Sequence, residues 1–364
     1  MRFFWLVICL ILFSIATRAQ VKPLPIIGYY AGRSTMVDSF PIEKLSHIIF
    51  SFVHLRGDSL VISNANDTLR IRHLVALKTR NPSMKVILSL GGWGGCRTCS
   101  DVFMTRKGRK RFVRTATQVL RDFHCDGIDL DWEYPALANV PGYPYADADR
   151  DNFTDVVRRL RRSLGKKYEI SFAAGGFTAY IQKSIDWKKV TPLVDRINLM
   201  TYDLVNGYDT VTGHHTPLYS SPGHIESTDN AVRLLESLGV PSTKIAIGAA
   251  FYGRVWERVD SAAAGAYNGI YRPGHFRFGV SHRDFPRLFS PDSGFVYHWD
   301  TTAQAPFLYN AARGWFVTYD DTTSIRLKTR YAIDRHLGGL MFWELADDAF
   351  TNGLLDVIYQ EDHL

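Results

Sequence analysis

The sequence predicts an α/β chain folded as a (β/α)8 barrel of the TIM class, with a small α+β insertion between the seventh and eighth strands. Eight short apolar runs rich in β-branched residues carry that expectation: Pro25 to Tyr30, His47 to Val53, Lys85 to Leu90, Gly127 to Trp132, Tyr168 to Ala173, Val194 to Met200, Lys244 to Ala250 and Gly338 to Trp343. Helix-like stretches such as Asp151 to Leu164 and Asp229 to Leu238 separate them, and that alternation implies parallel strands with crossover helices. Eight such units close into a barrel whose chemistry sits at the C-terminal ends of the strands. The 84 residues from Arg254 to Leu337 exceed one crossover, and their many Tyr, Phe, Gly and Pro residues suit an inserted lobe of about residues 254–337 forming one wall of a cleft.

The chain opens with Arg2, an apolar stretch from Phe3 to Ile15 and the small-residue segment Ala16-Thr-Arg-Ala19, the pattern of a secretory signal peptide over residues 1–19. That stretch is short for a bilayer span. The expected mature domain is 20–364, exported to a periplasm or the outside, without a membrane anchor and acting as a monomer. Losing Arg2 and Arg18 takes the formal charge from +7 by two to +5, with the basic residues scattered except for Arg106-Lys-Gly-Arg-Lys-Arg111. That run is read as the solvated start of a helix, and no nucleic-acid partner is expected. Cys96-Arg-Thr-Cys99 has the spacing of a redox pair, half a metal site or a local disulfide; in an exported chain the disulfide is favoured, leaving Cys125 as a buried free thiol.

The densest chemistry lies in Asp126-Gly-Ile-Asp-Leu-Asp-Trp-Glu133. On a strand, alternate side chains share a face, so Asp129, Asp131 and Glu133 point one way, about 6–7 Å apart, while Trp132 points outward. Acids aligned in a partly dry barrel mouth raise one another's pKa and keep a proton, which a general acid needs near neutrality. A calcium loop would want Gly at its sixth position, where counting from Asp129 this chain has Tyr134.

Asp126-x-x-Asp129-x-Asp131-x-Glu133 followed by Tyr134-Pro135 resembles the fourth-strand signature of family 18 glycoside hydrolases, the chitinase family. The resemblance runs through Gly28-Tyr-Tyr30, Phe50-Ser-Phe52, Ser89-Leu-Gly-Gly-Trp93, Met200-Thr-Tyr-Asp203, Phe251-Tyr-Gly-Arg254 and Gly339-Leu-Met-Phe-Trp343, in that order. It implies a retaining, substrate-assisted hydrolysis of chitin or other N-acetylglucosamine oligosaccharides, with no cofactor and no metal. It further implies Glu133 as general acid and base, Asp131 on the acetamido N–H, Asp129 sharing a proton with Asp131, and Tyr202 on the acetamido carbonyl. Asp203 would contact the distorted sugar, Trp343 would floor the minus-one subsite, and Tyr29 and Ser89 would support the aspartates. Phe52, Gly92, Met200, Tyr252 and Arg254 would line the pocket, and Asp126, off the acid face, would have a supporting role.

Trp93 and Trp256 are read as paving outer subsites or simply packing, and His214-His215 as cleft-rim residues rather than metal ligands. The rival functions are a catalytically inactive chitin-binding lectin on the same barrel, an endo-β-N-acetylglucosaminidase acting on N-glycans, and a peptidoglycan hydrolase.

Overall fold

The computed structural model describes residues 23–33, 35–138, 141–259 and 269–364; the expected signal peptide lies outside them. Eight parallel strands form the barrel: β1 (Ile26–Tyr30), β2 (His47–Arg56), β3 (Lys85–Gly91), β4 (Gly127–Asp131), β5 (Glu169–Gly175), β6 (Arg196–Met200), β7 (Ile245–Ala250) and, last in the chain, Gly339–Trp343. The last strand pairs with both β1 and β7, and β1 also pairs with β2, so the sheet closes on itself. Between β7 and the last strand, an antiparallel sheet of five strands is built from β8 (Tyr252–Glu257), β9 (His275–Ser281), β10 (Val296–Asp300), β11 (Ala305–Asn310) and β12 (Trp315–Tyr319). The closing barrel strand is therefore β13.

Six helices matter most for packing: α1 (Ala65–Ala76), α2 (Arg106–Phe123), α3 (Asp149–Leu164), α4 (Thr228–Ser237), α5 (Thr322–Asp334) and α6 (Leu354–Asp362). The basic run begins α2. Thr105 Oγ1 accepts the Gly108 N–H at 2.9 Å, and Phe112, Val113, Ala116 and Leu120 recur at helical spacing to bury one face. Strand parity does the same for β4: Ile128 and Leu130 join the layer between barrel and helices, whereas Asp129 and Asp131 are buried on the opposite side. No described helix is long and apolar enough to cross a membrane.

The insertion differs in extent from the span reserved for it. Its sheet starts at Tyr252 and ends at Tyr319, and α5 then packs on β7 and β13 as a helix of the barrel ring. The return is clamped. Asp320 Oδ2 accepts the Ala250 N–H at 3.0 Å, and both its oxygens receive the wholly buried Lys328 ammonium, which also donates to the Thr216 carbonyl at 2.8 Å.

The N-terminal end of the barrel is closed by charge. Glu169 opens β5 and receives Lys85 from β3 at 2.8 Å, Arg196 from β6 at 2.7 Å and His47 from β2 at 3.1 Å. Burial alone would raise the Glu169 carboxyl, but these partners outweigh it and hold it far below the usual range. Because the folded pKa is depressed, the stabilisation is present above the unfolded value of about 4.3 and fades as pH falls below it. Glu169→Gln is expected to lose about 3 kcal/mol in urea unfolding at neutral pH, with the deficit shrinking below about pH 4. A variant as stable as the parent at pH 7 would show that the cluster contributes nothing net.

Candidate active site

The site grows from one buried carboxylate. Asp129 stands in register between Ser89 on β3 and Ser171 on β5, so both hydroxyls point at it. Its Oδ1 accepts Ser171 Oγ at 2.6 Å and Asn198 Nδ2 at 3.1 Å, and its Oδ2 accepts Ser89 Oγ at 2.7 Å and Tyr29 OH at 3.0 Å. Burial still pushes this carboxyl above its ordinary range, although all four bonds favour the anion.

Asp131 follows two residues on, on the same inward face. Burial, then the charges of Glu133 and Asp129, lift its carboxyl well above the usual range. Asp131 and Glu133 hydrogen-bond to one another, and among the described residues no N–H or hydroxyl of another residue donates to the buried Asp131 Oδ1. Four donors from elsewhere meet Asp129's oxygens, and Asp129 acts on Asp131 through its charge, while Asp131 hydrogen-bonds with Glu133.

Glu133 lies just past the end of β4, and the Glu133-Tyr134 peptide bond is cis, as are Ser51-Phe52 and Trp343-Glu344 at the ends of β2 and β13. Burial, reinforced by the Asp203 charge, pushes its carboxyl up to about 7, against hydrogen bonds with Tyr134 and Asp131 that favour the anion. Near neutrality this group therefore exists in both protonation states, as a residue that gives and later takes a proton requires.

Aromatic rings gather around the acids. Trp343 stacks on Phe52 with centroids 5.5 Å apart and planes 13° off parallel, and stands tilted 6.0 Å from Tyr29. Gly92 permits this: at φ +78° it donates its N–H to the Asp131 carbonyl, and a Cβ there would sit 2.3 Å from the Phe52 ring. Tyr202 is buried, with its hydroxyl 3.8 Å from Met341 sulfur and its ring edge-on to Tyr252 at 6.2 Å. Met200 joins Tyr29, Tyr202 and Met341 in the apolar filling of the barrel interior. Asp203, in the left-handed region at φ +56°, receives Tyr252 OH at 2.6 Å and Arg254 Nε at 2.5 Å on one oxygen. Burial would raise its carboxyl; the nearby His215 ring and the hydrogen bond and charge of Arg254 hold it well below the usual range.

The remaining candidates separate by place. Trp93 is 53% exposed beside Tyr208, 67% exposed, with ring centroids 6.3 Å apart, on loops after β3 and β6. Trp256 does not pave the groove. It is wholly buried in the lobe against Phe276 and Phe316, because its position on β8 faces the covered side of that sheet. Trp132 packs outside the barrel against Phe103 and Phe153. Asp126 lies at the far end of β4, accepting the Val86 N–H at 2.7 Å and pairing with Lys78. Cys96 and Cys99 form a disulfide with Cα atoms 5.1 Å apart, while Cys125 is a buried thiol whose pKa burial pushes up to about 12. His214 and His215 are not rim residues: both are buried, His214 facing Asp300 and His215 facing Asp203, because their loop folds back under the lobe. Ser171 and Asn198 escaped the sequence reading, though each is a polar residue inside an apolar run at the parity of the acids.

Residues 25–348 match the family described as glycosyl hydrolases family 18. The chain belongs to that family. It is a glycoside hydrolase of that family. It is 34% identical over 302 residues to chitinase A1 of Niallia circulans, covering 76% of this chain and 42% of that protein, so it spans less than half of that relative's length. Chitinase B of Serratia marcescens is 28% identical over 90% of this chain and 80% of its own. A family 18 N-acetylglucosaminidase from Paenibacillus barengoltzii superposes with a TM-score of 0.84 and 34% identity, over 93% of this chain and 99% of that one.

Asn198→Ala removes one donor from Asp129 and another from Tyr29 without touching the space above Asp131. The expected result is a kcat about tenfold lower with KM little changed, since a hydrogen bond to a charged group is worth about 1.5–3 kcal/mol. Steady-state kinetics on a soluble oligosaccharide reads this directly.

Proposed function

We propose that this chain is an exported chitinase that cleaves β-1,4-linked N-acetylglucosamine polymers with retention, using Glu133 as its acid and base. The observation that carries the reading is the coupled pair of raised carboxyls, Asp131 and Glu133, with Asp131 Oδ1 buried and unpartnered beside it. A buried acceptor without a donor is costly, and the N–H of a substrate acetamido group would supply the missing one.

In the first step the acetamido carbonyl oxygen of the minus-one sugar attacks C1 as the bond from C1 to the leaving oxygen breaks. Glu133 gives its proton to that oxygen. Asp131 holds the acetamido N–H and offsets the positive charge that develops on the new ring, and Tyr202 orients the carbonyl. Glu133, now anionic, takes a proton from water as the water oxygen bonds to C1. The ring opens, the acetamido group is restored, and configuration at C1 is retained. Trp343 gives the sugar an apolar face to stack on, and Asp203 contacts its hydroxyls.

The names of chitinase A1 and chitinase B, relatives along most of this chain, support chitin as the polymer. Exposed Trp93 and Tyr208 beyond the acids support a groove for several sugars. The presence of Glu133 weighs against an inactive lectin. The N-acetylglucosaminidase relative supports a second reading, release of single sugars, which the products distinguish.

Incubation with chitin hexasaccharide, followed by mass spectrometry, is expected to give oligomers of two to four sugars from the parent and none from Glu133→Gln, which should still bind. Successive loss of single sugars would favour the N-acetylglucosaminidase reading. Binding without cleavage by both proteins would favour the lectin, and absence of binding would move the substrate to N-glycan or peptidoglycan. Because Glu133 must be protonated for the first step and its pKa is about 7, kcat/KM should fall tenfold per pH unit above that value. A rate unchanged from pH 7 to about 9 would remove Glu133 from the acid role.

A further inference from the structure

His215 plays no part in the mechanism above, yet it is wholly buried where the loop after β6 meets β8 and β12 of the lobe. Its main chain is tied on both sides. The His215 N–H donates to Thr318 Oγ1 on β12 at 3.1 Å, and its carbonyl accepts the Leu204 N–H at 3.0 Å. The imidazole stands tilted against the Tyr252 ring, with centroids 5.2 Å apart. Its Nδ1 lies 3.6 Å from Asp203 Oδ1, and among the described residues neither ring nitrogen has a hydrogen-bond partner.

That placement is expensive if the ring merely fills space. A buried polar group left unpaired costs about 1–3 kcal/mol, and leucine would pack the same volume without that penalty. Among the described residues, the carboxylate within 4 Å of the ring nitrogens is Asp203. Tyr252 OH, Arg254 Nε and His215 Nδ1 converge on its Oδ1, and none of them uses Oδ2. Burial lowers the imidazole pKa, against Asp203, which raises it, while Arg254 adds to the lowering and Asp320 opposes it. A neutral ring has one N–H to give, and in its Nδ1 tautomer that N–H would face Asp203 across 3.6 Å.

We propose that His215 is a positioning residue: with Tyr252 and Arg254 it fixes the Asp203 carboxylate by Oδ1, leaving Oδ2 to meet the distorted sugar. The inference rests on the chitinase reading, in which Asp203 touches the minus-one sugar.

The test is a mutant cycle assayed on the nitrophenyl glycoside of chitobiose, with parent, His215→Leu, His215→Asn, Asp203→Asn and the double variant Asp203→Asn with His215→Leu. His215→Leu is expected to lower kcat/KM about tenfold, chiefly in kcat, while the thermal midpoint stays within about 3 °C of the parent. Asparagine, whose amide nitrogen overlies Nδ1, should recover activity to within about threefold of the parent. In the Asp203→Asn background the leucine change should cost less than about twofold, because its effect passes through the carboxylate already removed. Equal losses in both backgrounds, no loss at all, or asparagine as poor as leucine would each overturn the proposal. If the leucine variant fails to fold, His215→Gln replaces it; its nitrogen lies beyond the Nδ1 position, so activity equal to asparagine's would overturn the proposal. A parent that leaves the glycoside intact overturns the chitinase reading and this inference with it, whereas an active parent matched by its leucine variant overturns the inference alone.

Discussion

The structure depends on one buried carboxylate held by its neighbours on every side. Asp129 gathers donors from β1, β3, β5 and β6, so four strands of the barrel converge on two oxygen atoms. A group so placed cannot shift without undoing bonds in several strands at once. It also cannot act as donor or acceptor to Asp131, since its acceptor positions are filled. What it exerts is field: a negative charge in a dry interior, felt by Asp131 and passed on through the bond between Asp131 and Glu133. On the proposed mechanism, a wholly buried charge thus helps to keep a proton on the acids at the barrel mouth.

The polar interior is the reason the barrel could be built around a charge. Ser89, Ser171, Asn198 and Tyr29 occupy inward positions that a purely structural barrel fills with branched aliphatics. Below them the Glu169 cluster closes the opposite end, and the apolar layer of Ile27, Ile49, Ile87 and Ala246 contributes to the interior cluster. Two electrostatic assemblies of different purpose share one barrel. In the lower one three basic side chains surround a carboxyl held far below its usual range; in the upper one two neighbouring acids are raised, and that pair is available for chemistry.

Much of this was legible in the chain, for definable reasons. The eight strands stand out because parallel strands are covered on both faces and read as continuous apolar runs. Asp129, Asp131 and Glu133 stand out because two-residue periodicity survives within such a run. Ser171 and Asn198 were missed because a single small polar residue in a strand has many meanings until its register partner is known, and register is a property of the closed sheet. The reserved insertion span reached too far, because α5 and its capping pair Asp321 and Ser324 lie in the same connection as the lobe. The burial of Trp256 and of His214 and His215 depends on how the lobe folds against that loop, a long-range contact with no local trace.

The lobe joins the barrel with almost no intervening chain: one residue, Phe251, separates β7 from β8, and at the return Asp320 is fastened to both Ala250 and Lys328. A wall rooted at both ends by buried bonds is not a door. If the proposed polymer is the substrate, a wall anchored in this way leaves the adjustment to the sugar chain rather than to the lobe.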